Sequence, residues 1–322
     1  MLMPGQSTLL RATALPWQLE QWSRVIKREK EGGFPHALML TGTEGIGKLI
    51  FCRALAHWLL CAEQGDSICG VCRSCELNQA ETHPDLSYVN TQEKSSVIKI
   101  EQIRELRDYI SKTPQIAPRK VICLGPAEAL NNNAANAFLK SLEEPSPSTI
   151  LLLYCHRLSV IPATIRSRCQ LIEMPIPQKR QAEKWLMPQI GSLSETQNAL
   201  DLANGKPIRA LQLCDAGMLD QYANIGVQLK ELYEGSTSAV SVIGELKNIN
   251  FEDVLAAIEI YLHDTHRNFW LFGKNHNSDL KPLLAVIEYI QQIRGALQKG
   301  TNPNRQLTLE KIFFDIKSLS WS

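Results

Sequence analysis

The chain has 322 residues, 44% of them hydrophobic, and its 34 lysines and arginines nearly cancel 33 aspartates and glutamates. That length predicts two or three domains, and the balanced charge argues against a protein that grips nucleic acid alone through a basic excess. No apolar run reaches the roughly 18 residues of a membrane span, Met1 to Leu15 lacks the apolar core and cleavage site of a signal peptide, and nine cysteines without an export signal predict a cytoplasmic protein rather than a disulfide framework.

In chain order, residues 35–40 read as a short buried strand that runs into Gly42-Thr43-Glu44-Gly45-Ile46-Gly47-Lys48-Leu49. The spacing is that of a phosphate-binding loop, G-x-x-x-x-G-K-[ST]. Its glycines let backbone N–H groups wrap a phosphate, its lysine reaches the outer phosphates, and its hydroxyl holds Mg²⁺. Leu49 stands where the hydroxyl belongs and has no oxygen to offer a hard cation. Gly42, Gly45, Gly47 and Lys48 are therefore candidate nucleotide contacts in a degenerate loop. Both an ADP-like ligand and an unliganded loop stay open, since a tight turn alone also calls for glycine.

Residues 49–60 carry helical apolar spacing. A second strand is predicted at 85–89, an amphipathic helix at 100–111 with Ile103, Leu106 and Ile110 on one face, and a strand at 121–124. A helix at 134–142 ends at Glu143-Glu144-Pro145, and a further strand covers 149–154. Strands alternating with helices predict an α/β fold with a parallel sheet covered on both faces. After Met174-Pro175-Ile176-Pro177 only helical patterns follow. The expected domains are 1–174, a small helical unit at 175–218, and an all-helical unit at 219–322. In the last, Tyr261, Phe269, Trp270, Phe272, Phe313 and Phe314 are expected mostly in the core.

Cys61, Cys69, Cys72 and Cys75 are spaced C-x7-C-x2-C-x2-C within residues 61–75. Four thiolates can close a tetrahedral shell around Zn²⁺, and a closed shell is structural because no position is left open for substrate. Metal binding would then supply folding energy to a loop with little core of its own. Four ordinary buried thiols, as expected for Cys52, Cys123, Cys155, Cys169 and Cys214, is one alternative. An iron–sulfur cluster is another, but the spacing differs from its usual runs and no proline follows Cys75. His57 and His83 flank the loop and are near enough in sequence to replace one cysteine.

Two further stretches, residues 136–145 (N-A-F-L-K-S-L-E-E-P) and 161–169 (I-P-A-T-I-R-S-R-C), look like the A-L-L-K-x-L-E-E-P and L-P-x-T-I-x-S-R-C signatures of the bacterial clamp-loader AAA+ family. With the phosphate loop and the four-cysteine insert before them, the resemblance is strong over about residues 30–175 and weaker beyond. There, Leu307-Thr308-Leu309-Glu310 is similar to the family's C-terminal region. The resemblance implies a RecA-like AAA+ parallel sheet with a zinc-binding insert, a helical lid domain and an all-α collar that assembles a heteropentamer. In the family's ATPase members, gamma and tau, the strand at 121–124 is followed by Asp-Glu, where the aspartate supports Mg²⁺ and the glutamate orients water. Here Gly125 and Pro126 follow. The polar residues expected near Cys155 and His156 are also missing, and the lid arginine falls on Ile208, with Arg209 one residue late.

A positioned general base alone is worth about 10²–10⁴ in rate, so negligible hydrolysis is expected. The pattern resembles the family's non-hydrolysing subunit, one without ATPase or polymerase activity of its own inside a DNA-directed DNA polymerase holoenzyme. The same resemblance implies gamma/tau ATPase subunits and the delta subunit as partners. Through the complex it implies contact with the sliding clamp and primed DNA. It makes Arg168 an arginine finger reaching into a neighbour's ATP site. The competing expectations are a divergent active gamma-like ATPase, and a zinc-based redox or interaction module on an inert frame.

Overall fold

Alternation of apolar residues with period two sends each strand's side chains into two different cores. The computed structural model describes residues 14–318 apart from 64, 92–94, 96, 216–217, 273–280 and 299–300. Its five strands are β1 (Ala37–Thr41), β2 (Leu86–Val89), β3 (Lys120–Leu124), β4 (Thr149–Tyr154) and β5 (Gln170–Glu173). They pair in parallel in the order β2-β3-β4-β1-β5. The three central strands are buried along their whole length, whereas β2 and β5 are only partly covered. Leu38, Leu40, Val121, Cys123, Ile150 and Leu152 face one core; Met39, Ile122, Leu124, Leu151 and Leu153 face the other.

Helices cover both faces. α1 (Leu19–Lys30) brings Trp22, Val25 and Ile26, spaced as one helical stripe, to the first core. α2 (Lys48–Leu60) is apolar around most of its circumference, with Phe51, Leu55, Trp58 and Leu59 fully buried, so it lies under the sheet. α3 (Arg73–Gln79) is short and carries Cys75. α4 (Ile100–Ser111) buries Ile103 and Leu106 on the opposite face. α5 (Asn132–Glu143) is capped by the Asn131 side chain, which accepts the Ala134 N–H at 2.8 Å, and buries Phe138 completely. α6 (Ala163–Arg166) is a single turn before β5.

One buried charge pins this layer. The Asp85 carboxylate accepts N–H bonds from Gln115, Ile116 and Ala117 at 2.7, 2.8 and 2.9 Å, fixing the approach to β3. Burial pushes its pKa up, but those three donors outweigh burial and leave it below the ordinary value.

The remaining helices are α7 (Lys179–Ile190), α8 (Leu193–Leu202), α9 (Pro207–Asp215), α10 (Met218–Glu234), α11 (Ala239–Glu245), α12 (Phe251–Phe272), α13 (Lys281–Gln298) and α14 (Arg305–Lys317). The chain forms two compact units, residues 1–185 with 206–208, and residues 186–205 with 209–322. In the second, Leu229, Leu255, Ile258, Ile290, Ile312 and Phe313 are buried, and Glu259 is paired with Arg294. Phe314 is 73% exposed, so it is not a core residue. The side chains of Phe269, Trp270 and Phe272 lie outside the described residues. Four of the named elements went unpredicted from sequence: α1, α3, the single turn α6 and the half-polar edge strand β5.

Candidate functional site

The carboxyl ends of β1, β3 and β4 come together at one edge of the sheet, where open α/β sheets bind ligands. The predicted phosphate loop connects β1 to α2 there. Gly42, Gly45 and Gly47 have φ of +137°, +84° and +87°, conformations that side-chain-bearing residues avoid. A Cβ on Gly42 would lie 2.6 Å from the Met174 carbonyl oxygen, so close approach as well as φ requires glycine.

Lys48 opens α2 and is only 3% exposed. Its ammonium donates back to the loop, to the carbonyl oxygens of Gly42 (2.6 Å) and Thr43 (2.5 Å). Burial lowers its pKa to about 8, partly opposed by the carboxylates of Glu128 and Glu44. Leu49 points outward and is 36% exposed.

A segment without any motif of its own closes over this loop. Trp17 Nε1 donates to the Ile46 carbonyl at 2.9 Å, and Gln18 Nε2 donates to Ile46 (3.1 Å) and Gly47 (3.0 Å). Leu15 stands against Gly47, where an added Cβ would run into its Cδ1. The Ile208 N–H donates to the Gly45 carbonyl at 3.0 Å, which puts an aliphatic residue where the family resemblance implied an arginine.

Gly125 and Pro126 follow β3, as the sequence requires. A Cβ on Gly125 would lie 2.7 Å from both the ring and the carbonyl oxygen of Tyr154, so a carboxylate-bearing residue does not fit without movement. The nearby acid is Glu128. One of its oxygens accepts the His156 N–H at 2.8 Å, while the other is buried without a partner. His156 is itself held neutral, its pKa lowered to about 3 by burial and by the charges of Lys48 and Arg157.

At the other end of α2, the four predicted cysteines converge. Their sulfur atoms all lie within 4.8 Å of one another. Cys61–Cys69, Cys61–Cys75 and Cys69–Cys75 are 3.6, 3.7 and 3.9 Å apart. A tetrahedral zinc with Zn–S bonds of about 2.3 Å would set S···S edges of about 3.8 Å, so Cys61, Cys69 and Cys75 already stand at the spacing of such a metal, and Cys72 lies within 4.8 Å of them. Cys61 follows the end of α2, Cys72 precedes α3, and Cys75 sits in its first turn. The Cys69 N–H points at Cys61 Sγ (3.4 Å). Burial favours the Cys72 thiol form, but N–H donors from Ala62 and Cys75 outweigh it and bring its pKa down to about 6. Two buried indoles tie the loop to the core: Trp58 Nε1 donates to the Gly65 carbonyl at 3.0 Å and Trp22 Nε1 to that of Asp66 at 3.5 Å. His57 and His83 are not part of the cluster. His83 Nδ1 instead accepts the Asp85 N–H at 3.1 Å.

Arg168 lies in the turn between α6 and β5. Its Nη1 donates to the Thr164 carbonyl (2.9 Å) and to Ser167 Oγ (3.3 Å), and its Nη2 is 2.7 Å from a Glu143 carboxylate oxygen. Among the described residues, no helix is long and apolar enough to cross a membrane.

Comparison with known proteins agrees with this geometry. The family model described as DNA polymerase III, delta subunit, matches residues 17–178. DNA polymerase III subunit delta' of Pseudomonas aeruginosa is 38% identical over 96% of this chain and 98% of its own length. The corresponding protein of Yersinia pestis is 37% identical over 85% and 83%. Among solved structures, a gamma subunit-related protein of Thermotoga maritima superposes with a TM-score of 0.42 at 17% identity, over 93% of this chain and 98% of that one, too loosely to carry a conclusion. The chain, an AAA+-like five-stranded sheet with a four-cysteine insert and a helical region after it, belongs to the delta' family of DNA polymerase III clamp-loader subunits.

Proposed function

We propose that this chain is a non-hydrolysing member of a heteropentamer that loads the sliding clamp onto primed DNA, and that it contributes Arg168 to the ATP site of a neighbouring gamma/tau subunit. The observation that carries the first half is the crowding at Gly125: the position where Mg²⁺ support would come from has no carboxylate and no room for one. Leu49 supplies no hydroxyl, and the Lys48 ammonium is engaged by its own loop. Each loss removes a charge-stabilising part of phosphoryl transfer, which depends almost wholly on positioning and electrostatics.

The second half rests on the partly exposed guanidinium of Arg168 in its Ser167-Arg168-Cys169 turn. A guanidinium delivered to a transferring phosphoryl group is worth about 10³–10⁵ in rate. Cys61, Cys69, Cys72 and Cys75 would hold Zn²⁺ in a closed shell, where the metal supplies rigidity rather than catalysis. On this reading residues 1–174 form the RecA-like domain, 175–218 a lid, and 219–322 the collar that packs with gamma/tau and delta subunits.

The test is reconstitution with candidate gamma/tau and delta subunits, measuring DNA- and clamp-stimulated ATP turnover. The chain alone is expected to turn over no ATP. Arg168→Ala is expected to assemble normally and to lose hydrolysis at one neighbouring site. Turnover by the isolated chain, or a complex indifferent to Arg168→Ala, would refute the respective half.

A further inference from the structure

Arg168 does not extend freely from the surface. Three acceptors of its own chain hold it, and only one carries charge: Glu143, the last residue of α5, 25 positions earlier in sequence. The two neutral acceptors, Thr164 and Ser167, lie in the same turn and orient the Nη1 edge. Glu143 reaches across from another helix to Nη2. The pair is partly solvated, with side-chain exposures of 35% for Arg168 and 47% for Glu143. A guanidinium paired with a carboxylate is electrically compensated, and the same fork that binds a carboxylate binds phosphate.

We propose that Glu143 is a positioning residue that parks Arg168, so that a polyphosphate in a neighbouring subunit must displace the carboxylate before the guanidinium can act. This rests on the reading of Arg168 as a finger supplied in trans. Two features make displacement feasible. The pair is exposed enough to be weak, and a nucleoside triphosphate carries several negative charges against one on Glu143. Thr164 and Ser167 keep the arginine pointed outward when the carboxylate leaves. Parking also means that an incompletely closed neighbour meets a neutralised finger, so hydrolysis waits for assembly.

The experiment uses the full chain and the reconstituted complex. Labelling of Arg168 by phenylglyoxal, followed by peptide mass spectrometry, reads its availability directly. Glu143→Gln keeps the shape and loses the charge. It is expected to speed labelling by up to about five-fold, the factor that about 1 kcal/mol for an exposed pair represents. The gain should shrink at high salt, which screens such pairs; a merely structural role would not show that. Glu144→Gln, the adjacent carboxylate, should change nothing. In the complex, Glu143→Gln should raise ATP turnover without clamp or DNA by a similar factor, and should have no effect in an Arg168→Ala background.

Unchanged labelling in Glu143→Gln overturns the parking contact, whatever the ATPase does. A fall in turnover with faster labelling shows that Glu143 aligns the finger instead, which also overturns the proposal. Faster labelling with turnover indifferent to Arg168→Ala refutes the finger reading and leaves Glu143 holding an idle arginine, so it has no control over hydrolysis.

Discussion

Replacing Cys75 with serine removes one of the two buried corners of the cysteine cluster. Cys75 Sγ lies 3.7 Å from Cys61 and 3.9 Å from Cys69, two edges of the shell, and a hydroxyl is a poor substitute for a thiolate. Structural zinc contributes about 10–16 kcal/mol of apparent binding energy near neutral pH. Losing one ligand of four should therefore cost roughly a quarter, about 2.5–4 kcal/mol, and weaken zinc binding by about two to three orders of magnitude. That is a large part of the 5–15 kcal/mol typical of a whole domain. The loop would not detach at once, because Trp58 and Trp22 still hold the Gly65 and Asp66 carbonyls and Lys30 pairs with Asp66 at 2.6 Å. Those indoles make the event visible: zinc loss should shift their fluorescence before global unfolding. The assay is zinc content by elemental analysis together with chelator competition and thermal unfolding. Wild type should carry one zinc and lose stability on chelation, and Cys75→Ser should carry little. A wild-type protein whose melting temperature ignores chelation, or a variant that keeps full zinc affinity, would refute the assignment of the four thiols to one metal.

Two further outcomes follow from the sheet edge. Gly125→Asp, alone or with Pro126→Glu, should not restore hydrolysis and should destabilise the fold by about 1–3 kcal/mol, as overpacking does, because its Cβ meets Tyr154 at 2.7 Å; ATP turnover at unchanged melting temperature would contradict this. Lys48 has a folded pKa near 8, below its ordinary value of 10.5, so the unfolded chain binds more protons between those two values. The destabilisation it causes is complete below pH 8 and should disappear as pH rises to about 10.5. Denaturant unfolding of wild type against Lys48→Met across that range, with cysteines and tyrosines common to both, should show wild type gaining relative stability; a pH-independent difference would show that the lysine is not buried in charged form.

The local geometry of each candidate site was legible because it is written over short spans. Glycine spacing and Lys48 announce a phosphate loop within eight residues, and Leu49 and Gly125-Pro126 announce its defects. Four cysteines within fifteen residues announce a cluster that could hold a metal, and their sulfurs do converge. Turn geometry, ligand spacing and strand alternation depend on neighbours in the chain, so sequence determines them directly. It also identified the parallel α/β class and the switch to helices after residue 174. The sequence did not reveal who touches these sites from afar. Trp17 and Gln18 reach the phosphate loop across 28–29 residues, Trp22 reaches the cysteine loop across 44, and Glu143 meets Arg168 across 25. Nor did it reveal β5, whose Gln170 and Glu173 dilute the apolar signal because an edge strand has only one covered side. Such partners are selected by packing and by the need of buried N–H and C=O groups for a mate. Only the folded sheet, by fixing strand order, decides which distant side chain is close enough to supply it.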